Sequence, residues 1–312
     1  HTNQFDYESS LCYLQVKYLN KEIIMNQLKL FIDLTRLKKP IGYMLLFWPC
    51  AWGVTLAYDF SRDFSEYFFY LVLFFLGSVF MRSAGCIVND IFDKNFDAKV
   101  FRTKNRPIAS GKVSIKLGIF YSLLLCFCAL MVLLNFNNLT IFLAFFSMPL
   151  AFTYPLMKRF TYWPQLFLGI TFNYGLILGW VSITSEIDFT AIIFYIGAIF
   201  WTLGYDTIYG YQDIKDDEII GLKSTSIKFK GKEKKFLFSC YTFLLIFFLI
   251  GGYFMEFKYV YYLFLIIPFY NLFFFQIKIF NLKDTSSCLR AFKSNNFFGL
   301  IIFLNILIVK NI

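Results

Sequence analysis

The stretch RSAGCIVNDIFDKNFDAKVFRTKNRPIASGK, residues 82–112, places many charges directly after a long apolar run. Within it, Asn89, Asp93 and Asp97 are spaced four residues apart. Asp90 lies three residues before Asp93 and seven before Asp97. On a helix of about 3.6 residues per turn, both spacings place the side chains on one face. The pattern therefore predicts that one helix end carries a row of three carboxylates and one amide.

Such a row of like charges destabilises an isolated helix, so a bound cation is expected beside it. Ligands that all offer oxygen atoms suit a hard ion such as Mg²⁺. Arg102 and Arg106 follow within a few residues of the last acid. Carboxylates that hold a metal ion, next to basic side chains, are the groups that bind a diphosphate. The stretch therefore predicts a site for Mg²⁺ and a diphosphate.

A second acidic stretch, GYDTIYGYQDIKDDEIIGLKSTSIK at residues 204–228, repeats this arrangement after another apolar run. Asp206, Tyr209 and Asp213 have the spacing of one helical face, and basic residues follow them. Asp217 lies four residues beyond Asp213. We expect the two acidic faces to be the two halves of one site. The expected metal ligands are Asn89, Asp90, Asp93, Asp97, Asp206, Asp213 and Asp217.

The composition is that of a membrane protein. Of the 312 residues, 58% are hydrophobic, compared with roughly 45–50% in soluble domains, and apolar runs of about 20 residues recur along the chain. We predict an all-α, polytopic membrane protein with nine transmembrane helices around a central cavity. This domain is expected to occupy residues 34–312, after a polar N-terminal extension at residues 1–33. The predicted spans are roughly Ile41–Tyr58, Tyr67–Val88, Val113–Leu134, Leu139–Tyr154, Pro164–Ser182, Thr190–Tyr205, Phe236–Gly252, Tyr259–Phe280 and Asn296–Val309.

The basic residues lie mainly between the apolar runs, with seven Lys or Arg residues in Lys94–Lys116 and seven more in Lys215–Lys235. Cytoplasmic loops are enriched in these residues, so both acidic motifs and the N-terminus are predicted to face the cytoplasm. The formal charge of +10 then needs no nucleic-acid partner. Residues 1–24 contain acids and no arginine, unlike a typical mitochondrial transit peptide. We place the protein in the bacterial inner membrane ahead of the mitochondrial inner membrane.

Histidine and cysteine chemistry is largely excluded. The only histidine is His1, so neither acid–base catalysis by histidine nor histidine metal ligation is expected. The seven cysteines lie mostly in apolar runs and lack the paired spacing of a zinc site or a disulfide framework. We interpret them as small buried hydrophobic residues.

Five blocks of the chain resemble the UbiA family of intramembrane aromatic prenyltransferases. NDIFDKNFD (89–97) and VFRTKNRPIASG (100–111) are similar to the family's first Asp-rich motif and to the segment after it. YDTIYGYQDIKDDEIIGLKST (205–225) is similar to the second motif. TRLKKPIGYMLLFWP (35–49) and YPLMKRFTYWPQLFLG (154–169) resemble the branch of the family that acts on 4-hydroxybenzoate.

The resemblance, which runs in blocks from about residue 34 to 231, implies nine helices around a central cavity and Mg²⁺-dependent use of a polyprenyl diphosphate. It also implies transfer of the prenyl group to the ring of 4-hydroxybenzoate, ortho to the hydroxyl, with the prenyl tail in the lipid bilayer. The candidate catalytic residues are then Asp93, Asp206 and Asp213. The candidate substrate-binding residues are Arg102, Arg106, Lys158 and Lys223 for the diphosphate, Tyr154 one helical turn before Lys158, and Arg36.

Arg36 is the expected partner of the acceptor's carboxylate. A buried carboxylate needs a fixed cation, and a planar guanidinium matches it with two hydrogen bonds. Arg36 precedes the first span, and the only acid near it in the sequence is Asp33. We therefore expect Arg36 to be free to bind the substrate.

Other readings stay open. Within the family, the acceptor could be homogentisate, a naphthoate or haem. From a different class, an ion or proton transporter also carries carboxylates within the membrane. The acids here cluster at one end together with basic loops, which favours the enzyme. A purely structural role is least favoured, because nothing structural requires two acidic faces at helical spacing.

Overall fold

The protein is described by a computed structural model over residues 25–281 and 284–312. All regular secondary structure in these two ranges is helical. The first helix, α1, covers residues 25–35. It is followed by α2 (Ile41–Ala57), α3 (Phe64–Phe92), α4 (Lys94–Asp97), α5 (Ile115–Leu133), α6 (Asn138–Thr153), α7 (Pro164–Thr184), α8 (Phe189–Gly210), α9 (Ile214–Ile220), α10 (Thr225–Lys228), α11 (Glu233–Phe254), α12 (Tyr259–Tyr270), α13 (Ile277–Ile279), α14 (Thr285–Lys293) and α15 (Asn295–Lys310), with a 3₁₀ helix at Tyr154–Arg159 and a π-helix at Asn271–Gln276.

Eight helical segments within the described ranges are long and apolar enough to cross a bilayer. The shorter α2, with 17 residues, is also apolar, and its neighbours bury most of it. The prediction of an all-α polytopic membrane protein is therefore confirmed, with a helix at each of the nine predicted spans. Both α3 and α8 are longer than predicted, because the first residues of each acidic motif continue the helix.

The predicted N-terminal extension lies partly outside the described residues, which begin at Met25. Its remaining part forms α1, which continues to residue 35 across the predicted boundary at residue 34. Leu34 is fully buried, and Leu30 and Phe31 pack beside it against side chains of α3 and α5. This packing fixes the end of α1 directly before Arg36.

Glycines allow α2 and α7 to approach each other closely. A Cβ atom at Gly53 of α2 would lie 2.1 Å from the carbonyl oxygen of Leu176, and one at Gly179 of α7 would lie 2.4 Å from that of Cys50. Gly175 and Gly179 have the four-residue spacing of small residues that lets membrane helices meet backbone to backbone. The contact holds the first span against the fifth.

The loops that follow the acidic motifs lie at one end of the bundle. There, the backbone N–H of Lys223 donates to the carbonyl oxygen of Lys158 at 2.8 Å, which joins the segment after α9 to the connection between α6 and α7. At the opposite end, Asn137 precedes α6 and donates to the carbonyl oxygen of Val181 at 2.8 Å. The alternation of ends along the chain agrees with helices that cross the membrane in turn.

Both acidic rows cross a break between two helices. α3 ends at Phe92 and Asp93 separates it from α4, while α8 ends at Gly210 and Asp213 precedes α9. The expectation that each row follows one continuous helix is therefore wrong. At the first break the backbone N–H of Asp93 still donates to the carbonyl oxygen of Asn89 at 2.9 Å. The chain therefore keeps its helical direction, and the acids stay at the same end of the bundle.

Gly53→Ala is expected to destabilise the protein by about 1–3 kcal/mol, the usual cost of overpacking. Its new methyl group would overlap the carbonyl oxygen of Leu176, which is backbone and cannot rotate away. Gly77→Ala is the matched control, because the nearest atom to a Cβ at Gly77 is 4.0 Å away. The measurement is the free energy of unfolding in mixed SDS and dodecylmaltoside micelles. Equal values for the two variants would contradict the close approach of α2 and α7.

Candidate active site

Asp90 is almost completely buried and is held by two arginines. Its Oδ1 accepts hydrogen bonds from Arg36 Nη2 at 2.5 Å and from Arg106 Nη1 at 3.1 Å. Arg106 Nη1 also donates to Asp97 Oδ2 at 2.7 Å. One guanidinium therefore bridges two aspartates that are seven residues apart, as their helical spacing predicts.

Arg36 follows α1 in a left-handed backbone conformation, with φ at 57°. Residues other than glycine adopt this conformation rarely, at a cost of roughly 1–3 kcal/mol. It turns the chain from α1 towards α2, and the side chain reaches Asp90 on α3. The premise that Arg36 has no acid beside it is therefore wrong, because its partner comes from another helix and is distant in the sequence.

Asp93, at the break between α3 and α4, binds a different cation. Its Oδ2 accepts a hydrogen bond at 2.5 Å from the Nζ of Lys158, which belongs to the 3₁₀ helix after α6. Arg159 donates to the carbonyl oxygen of Phe92, and its Nη2 lies 3.9 Å from Asp93 Oδ1. That Oδ1 is buried and has no hydrogen-bond partner among the described residues. A buried carboxylate oxygen without a donor would be stabilised by a bound ligand.

Arg102 joins the two acidic motifs directly. It lies in the loop after the first motif, and its guanidinium binds both carboxylate oxygens of Asp213 in the second, with an Nε–Oδ1 distance of 2.6 Å. Its Nη1 also donates to the hydroxyl of Tyr209 at 3.4 Å. Two parallel bonds to one carboxylate are among the strongest contacts an arginine makes. The contact agrees with the expectation that the two distant stretches meet.

Asp206 and Asp217 are acids of the second motif without a protein cation. Neither makes an ion pair or a side-chain hydrogen bond with the described residues. Burial of Asp217, together with the nearby charge of Asp213, raises the pKa of the Asp217 carboxyl to about 6. An acid whose charged form is disfavoured in this way gains from a cation placed beside it.

These side chains fit a divalent metal ion in their chemistry, but they do not surround a single point. Within residues 25–281 and 284–312, no three His, Cys, Asp or Glu side chains stand close enough together to hold an ion. The oxygens that accept no hydrogen bond from the described residues include Asp93 Oδ1 and the carboxylate oxygens of Asp206 and Asp217. All are oxygen donors, which suits Mg²⁺. Asp213 would join them after Arg102 releases it.

Arg82 is a site residue that the sequence analysis missed. It lies on α3, about two helical turns before Asn89, and its Nε is buried without a hydrogen-bond partner in the described part of the chain. A Cβ atom at Gly42 of α2 would lie 3.1 Å from this Nε, so the glycine leaves room for the guanidinium. An arginine inside an apolar run is costly and therefore marks a functional candidate, which is the signal that could have found it.

Aromatic rings from two other segments lie beside Arg82. Its guanidinium carbon is 5.4 Å from the centre of the Phe172 ring on α7. Tyr154, at the start of the 3₁₀ helix, contacts Phe172 edge to face with 6.3 Å between the ring centres. We call these three residues the Arg82 cluster. A guanidinium next to aromatic rings suits a planar aromatic acid, whose carboxylate and ring need different partners.

Two predicted residues are not joined to the ion pairs. Lys223 Nζ donates to the carbonyl oxygen of Phe160 at 3.3 Å and lies over the ring of Tyr162. Its ammonium is therefore held beside the connection that carries Lys158. The side-chain amide of Asn89 makes no hydrogen bond with the described residues. Within these ranges, neither the Lys223 ammonium nor the Asn89 amide contacts an acid.

A third segment, α14, also reaches the site. The ring of Phe292 lies 4.6 Å from that of Tyr209 and 5.7 Å from that of Tyr205, between ring centres. Cys288 and Ala291 are buried on the same helix. Because Tyr209 contacts Arg102, this packing helps to orient the ion pair between the motifs. In the sequence α14 is a short polar segment outside the blocks that resemble the family, so the contact could not be predicted.

The profile of the UbiA prenyltransferase family matches residues 46–305. The mitochondrial 4-hydroxybenzoate polyprenyltransferase of Arabidopsis thaliana is 40% identical over 282 residues, which cover 90% of this chain and 69% of that protein. The 4-hydroxybenzoate geranyltransferase 1 of Lithospermum erythrorhizon is 42% identical over 296 residues, which cover 93% of this chain and 92% of that protein.

Solved structures share the fold. A UbiA homologue from Aeropyrum pernix K1 has a TM-score of 0.72 at 20% identity, covering 86% of this chain and 98% of that one. One from Archaeoglobus fulgidus, solved with GPP and Mg²⁺, has a TM-score of 0.65 at 15% identity, covering 91% of this chain and 100% of that one. The family profile spans most of the chain, and the relatives by sequence are 40% or more identical over nine-tenths of it. This protein therefore belongs to the UbiA prenyltransferase family.

Proposed function

We propose that the protein transfers a polyprenyl group from a polyprenyl diphosphate to the ring of 4-hydroxybenzoate, ortho to the hydroxyl, as a step of ubiquinone biosynthesis. The observation that carries this proposal is the Arg82 cluster, where a guanidinium that makes no ion pair with the described residues lies among aromatic rings close to the acidic motifs. The relatives named for 4-hydroxybenzoate support the same acceptor.

Arg82 would hold the acceptor by its carboxylate. A cation among membrane-spanning helices is costly without an anion, and the substrate would supply that anion. The planar guanidinium can bind both carboxylate oxygens, while Phe172 and Tyr154 would pack against the ring. Because the hydroxyl of 4-hydroxybenzoate is para to the carboxylate, this binding leaves the hydroxyl and its ortho carbons at the far end of the molecule.

The diphosphate would bind where the two motifs meet. Arg102 and Lys158 lie between acids of both motifs and would donate hydrogen bonds to phosphate oxygens. Arg106 and Lys223 are further candidates, although Arg106 already bridges two aspartates. When bound, Mg²⁺ would supply positive charge that stabilises the departing diphosphate.

The reaction would replace a C–O bond of the prenyl diphosphate by a C–C bond to the ring. Departure of the diphosphate leaves an allylic cation, which the ortho carbon attacks, and that carbon then loses its proton. Asp206 is the candidate base, because its carboxylate makes no ion pair or hydrogen bond with the described residues and lies within electrostatic reach of Arg82. Exclusion of water by the surrounding spans would protect the allylic cation.

Acceptor choice is the point on which the alternatives differ. Homogentisate and naphthoates also carry a carboxylate, so Arg82 would hold them as well, and their discrimination falls to the ring contacts. A transporter is less favoured, since four of the acids are neutralised by ion pairs at one end of the bundle. An ion pathway would place acids along the depth of the membrane.

The protein is a multi-pass membrane protein, and its compartment is part of the proposal. The sequence ranked the bacterial inner membrane above the mitochondrial one. The relatives from Arabidopsis thaliana and Caenorhabditis elegans are mitochondrial proteins, which favours the mitochondrial inner membrane. The loops rich in Lys and Arg lie at the end of the bundle that carries the two acidic motifs. In a mitochondrial inner membrane this end would face the matrix, which corresponds to the bacterial cytoplasm.

An acceptor panel tests the function. Purified protein in lipid nanodiscs, given Mg²⁺ and a prenyl diphosphate, is expected to form prenylated 4-hydroxybenzoate and release diphosphate. We expect kcat/KM to be highest for 4-hydroxybenzoate among this acid, homogentisate and a naphthoate. A preference for another acceptor would contradict the proposed role in ubiquinone biosynthesis. Absence of prenylated product with every acceptor would contradict the proposed prenyltransferase activity.

Asp93→Asn and Asp213→Asn are each expected to lower kcat by about a hundredfold or more. Loss of a metal contact removes several kcal/mol of transition-state stabilisation. Asp216→Asn is the matched control, because Asp216 neighbours the second row but makes no ion pair with the described residues. Turnover is measured across a titration of Mg²⁺. Near wild-type turnover of either motif variant at limiting Mg²⁺ would show that the acids do not hold the metal.

Arg82→Gln is expected to raise the KM for 4-hydroxybenzoate at least about tenfold, since a hydrogen bond to a charged group contributes about 1.5–3 kcal/mol. Its KM for the prenyl diphosphate should change little, and Arg82→Lys should recover only part of the loss. Arg36→Gln is the comparison, because Arg36 already pairs with Asp90. We expect it to lower kcat at saturating acceptor. A raised acceptor KM in Arg36→Gln alone would instead restore Arg36 as the carboxylate partner.

A further inference from the structure

Basic side chains of the protein neutralise most carboxylates of the two motifs. Both the first motif, at residues 89–97, and the second motif, at residues 205–225, contribute acids to these contacts. The ion pairs are Asp90 with Arg36 and Arg106, Asp97 with Arg106, Asp93 with Lys158 and, at a longer 3.9 Å, with Arg159, and Asp213 with Arg102.

Three of the closer pairs connect segments that are far apart in the chain, and in one of them, Arg36–Asp90 at 54 residues, the acid is shared with Arg106. Asp93 and Lys158 are 65 residues apart, and Asp213 and Arg102 are 111 residues apart. The side chains of Arg102 and Asp213 are 40% and 18% exposed, whereas Lys158 and Asp93 are 27% and 3% exposed, close to the 22% and 2% of Arg36 and Asp90. A partly solvated pair exchanges partners at lower cost than a buried one. The Arg102–Asp213 pair is therefore the most readily exchanged. The Lys158–Asp93 pair is as buried as the pairs of Asp90, but Asp93 has one close cation whereas Asp90 has two.

We propose that Arg102 and Lys158 are internal counter-ions, which hold Asp213 and Asp93 until a metal–diphosphate complex replaces both sets of contacts. The carboxylates then pass to the metal ion, and the guanidinium and ammonium groups pass to the phosphate oxygens. This inference rests on the proposed function for its diphosphate ligand. It adds that the site selects the complex over either component alone.

A lone divalent cation meets an obstacle at Asp213. Arg102 occupies both carboxylate oxygens, so the ion has to displace a guanidinium held by two hydrogen bonds. The displaced guanidinium then loses its paired carboxylate and lies close to a further positive charge. Binding of the ion alone is weakened by both effects.

A lone diphosphate meets the converse obstacle. Drawing Arg102 and Lys158 onto phosphate oxygens leaves Asp213 without its cation and leaves Asp93 with only the guanidinium of Arg159 at 3.9 Å, both beside a new anion. Unpaired charges in a poorly solvated place are costly. When metal and diphosphate arrive together, every group released from an ion pair gains a new partner. Each ligand therefore strengthens the binding of the other, and this coupling is reciprocal.

Binding of Mn²⁺ to the protein in lipid nanodiscs tests the proposal, with free Mn²⁺ counted by electron paramagnetic resonance. For the wild type we expect weak binding of Mn²⁺ alone and at least about tenfold tighter binding with unreactive geranyl thiodiphosphate present. Arg102→Gln should bind Mn²⁺ alone about tenfold more tightly than the wild type, because Asp213 is already free. The same variant should bind the thiodiphosphate less tightly. Effects of opposite sign on the two ligands are specific to a shared counter-ion.

Lys104→Gln is the matched control. It removes one positive charge from the same loop, but Lys104 lies over the ring of Phe101 and makes no ion pair with the described residues. Its affinity for Mn²⁺ alone should stay within about twofold of the wild type, because salt screens a solvated charge. An equal rise in this control would overturn the proposal, since charge alone would then explain the effect.

The affinity of Lys158→Gln for Mn²⁺ alone tests the same idea independently at Asp93. This variant replaces Arg102→Gln in the test if Arg102→Gln does not fold. The proposal is overturned if a folded variant of either cation binds Mn²⁺ alone no more tightly than the wild type. Failure of the proposed function is distinguishable, because it would be an absence of prenyl transfer to every acceptor. The measurement with Mn²⁺ alone needs neither an acceptor nor turnover.

Discussion

The ion pair between Arg102 and Asp213 is the contact on which the site depends, because it connects two motifs that are 111 residues apart along the chain. The spans α3 and α8 bring both acidic rows to one end of the bundle, and Lys158 adds a parallel link to Asp93 from the connection after α6. Charges near the membrane interior are costly unless they are paired. The pairs therefore stabilise the site end of the bundle when no substrate is bound.

The fold could be predicted because the lengths of the apolar runs indicate membrane-spanning helices. Nine apolar stretches are separated by polar loops, and in the described part of the chain each forms a helical segment, eight of them long enough to cross a bilayer. The breaks at Asp93 and Asp213 could not be predicted, because the residue spacing of a helical face continues across them. Helical periodicity tells which residues face one side, but it does not tell where one helix stops and a short one begins.

Sequence spacing also does not show which arginine is available to bind the acceptor, Arg36 or Arg82. Arg36 has few acids near it in the sequence, yet the turn after α1 carries its side chain to Asp90 on another helix. Arg82 lies inside an apolar run, where it reads as part of a span, and only the packing of α2 and α7 shows that no acid meets its Nε. Whether a cation is free to bind substrate is a property of the tertiary structure. Sequence alone could place Arg102 near the first acidic row, because it follows Asp97 by five residues, whereas Lys158 is expected at the site through the family resemblance.

The contact between Phe292 and Tyr209 links the site to the thickness of the bilayer. Phe292 is carried by α14, which lies between the last two spans, so its height relative to α8 follows how those spans sit in the lipid. A thinner or thicker hydrocarbon layer is met by tilting of the spans. Such tilting would shift Phe292 along the Tyr209 ring and disturb the hydroxyl that accepts from Arg102. Lipid composition would thus act on the catalytic end of the protein without any lipid headgroup touching it.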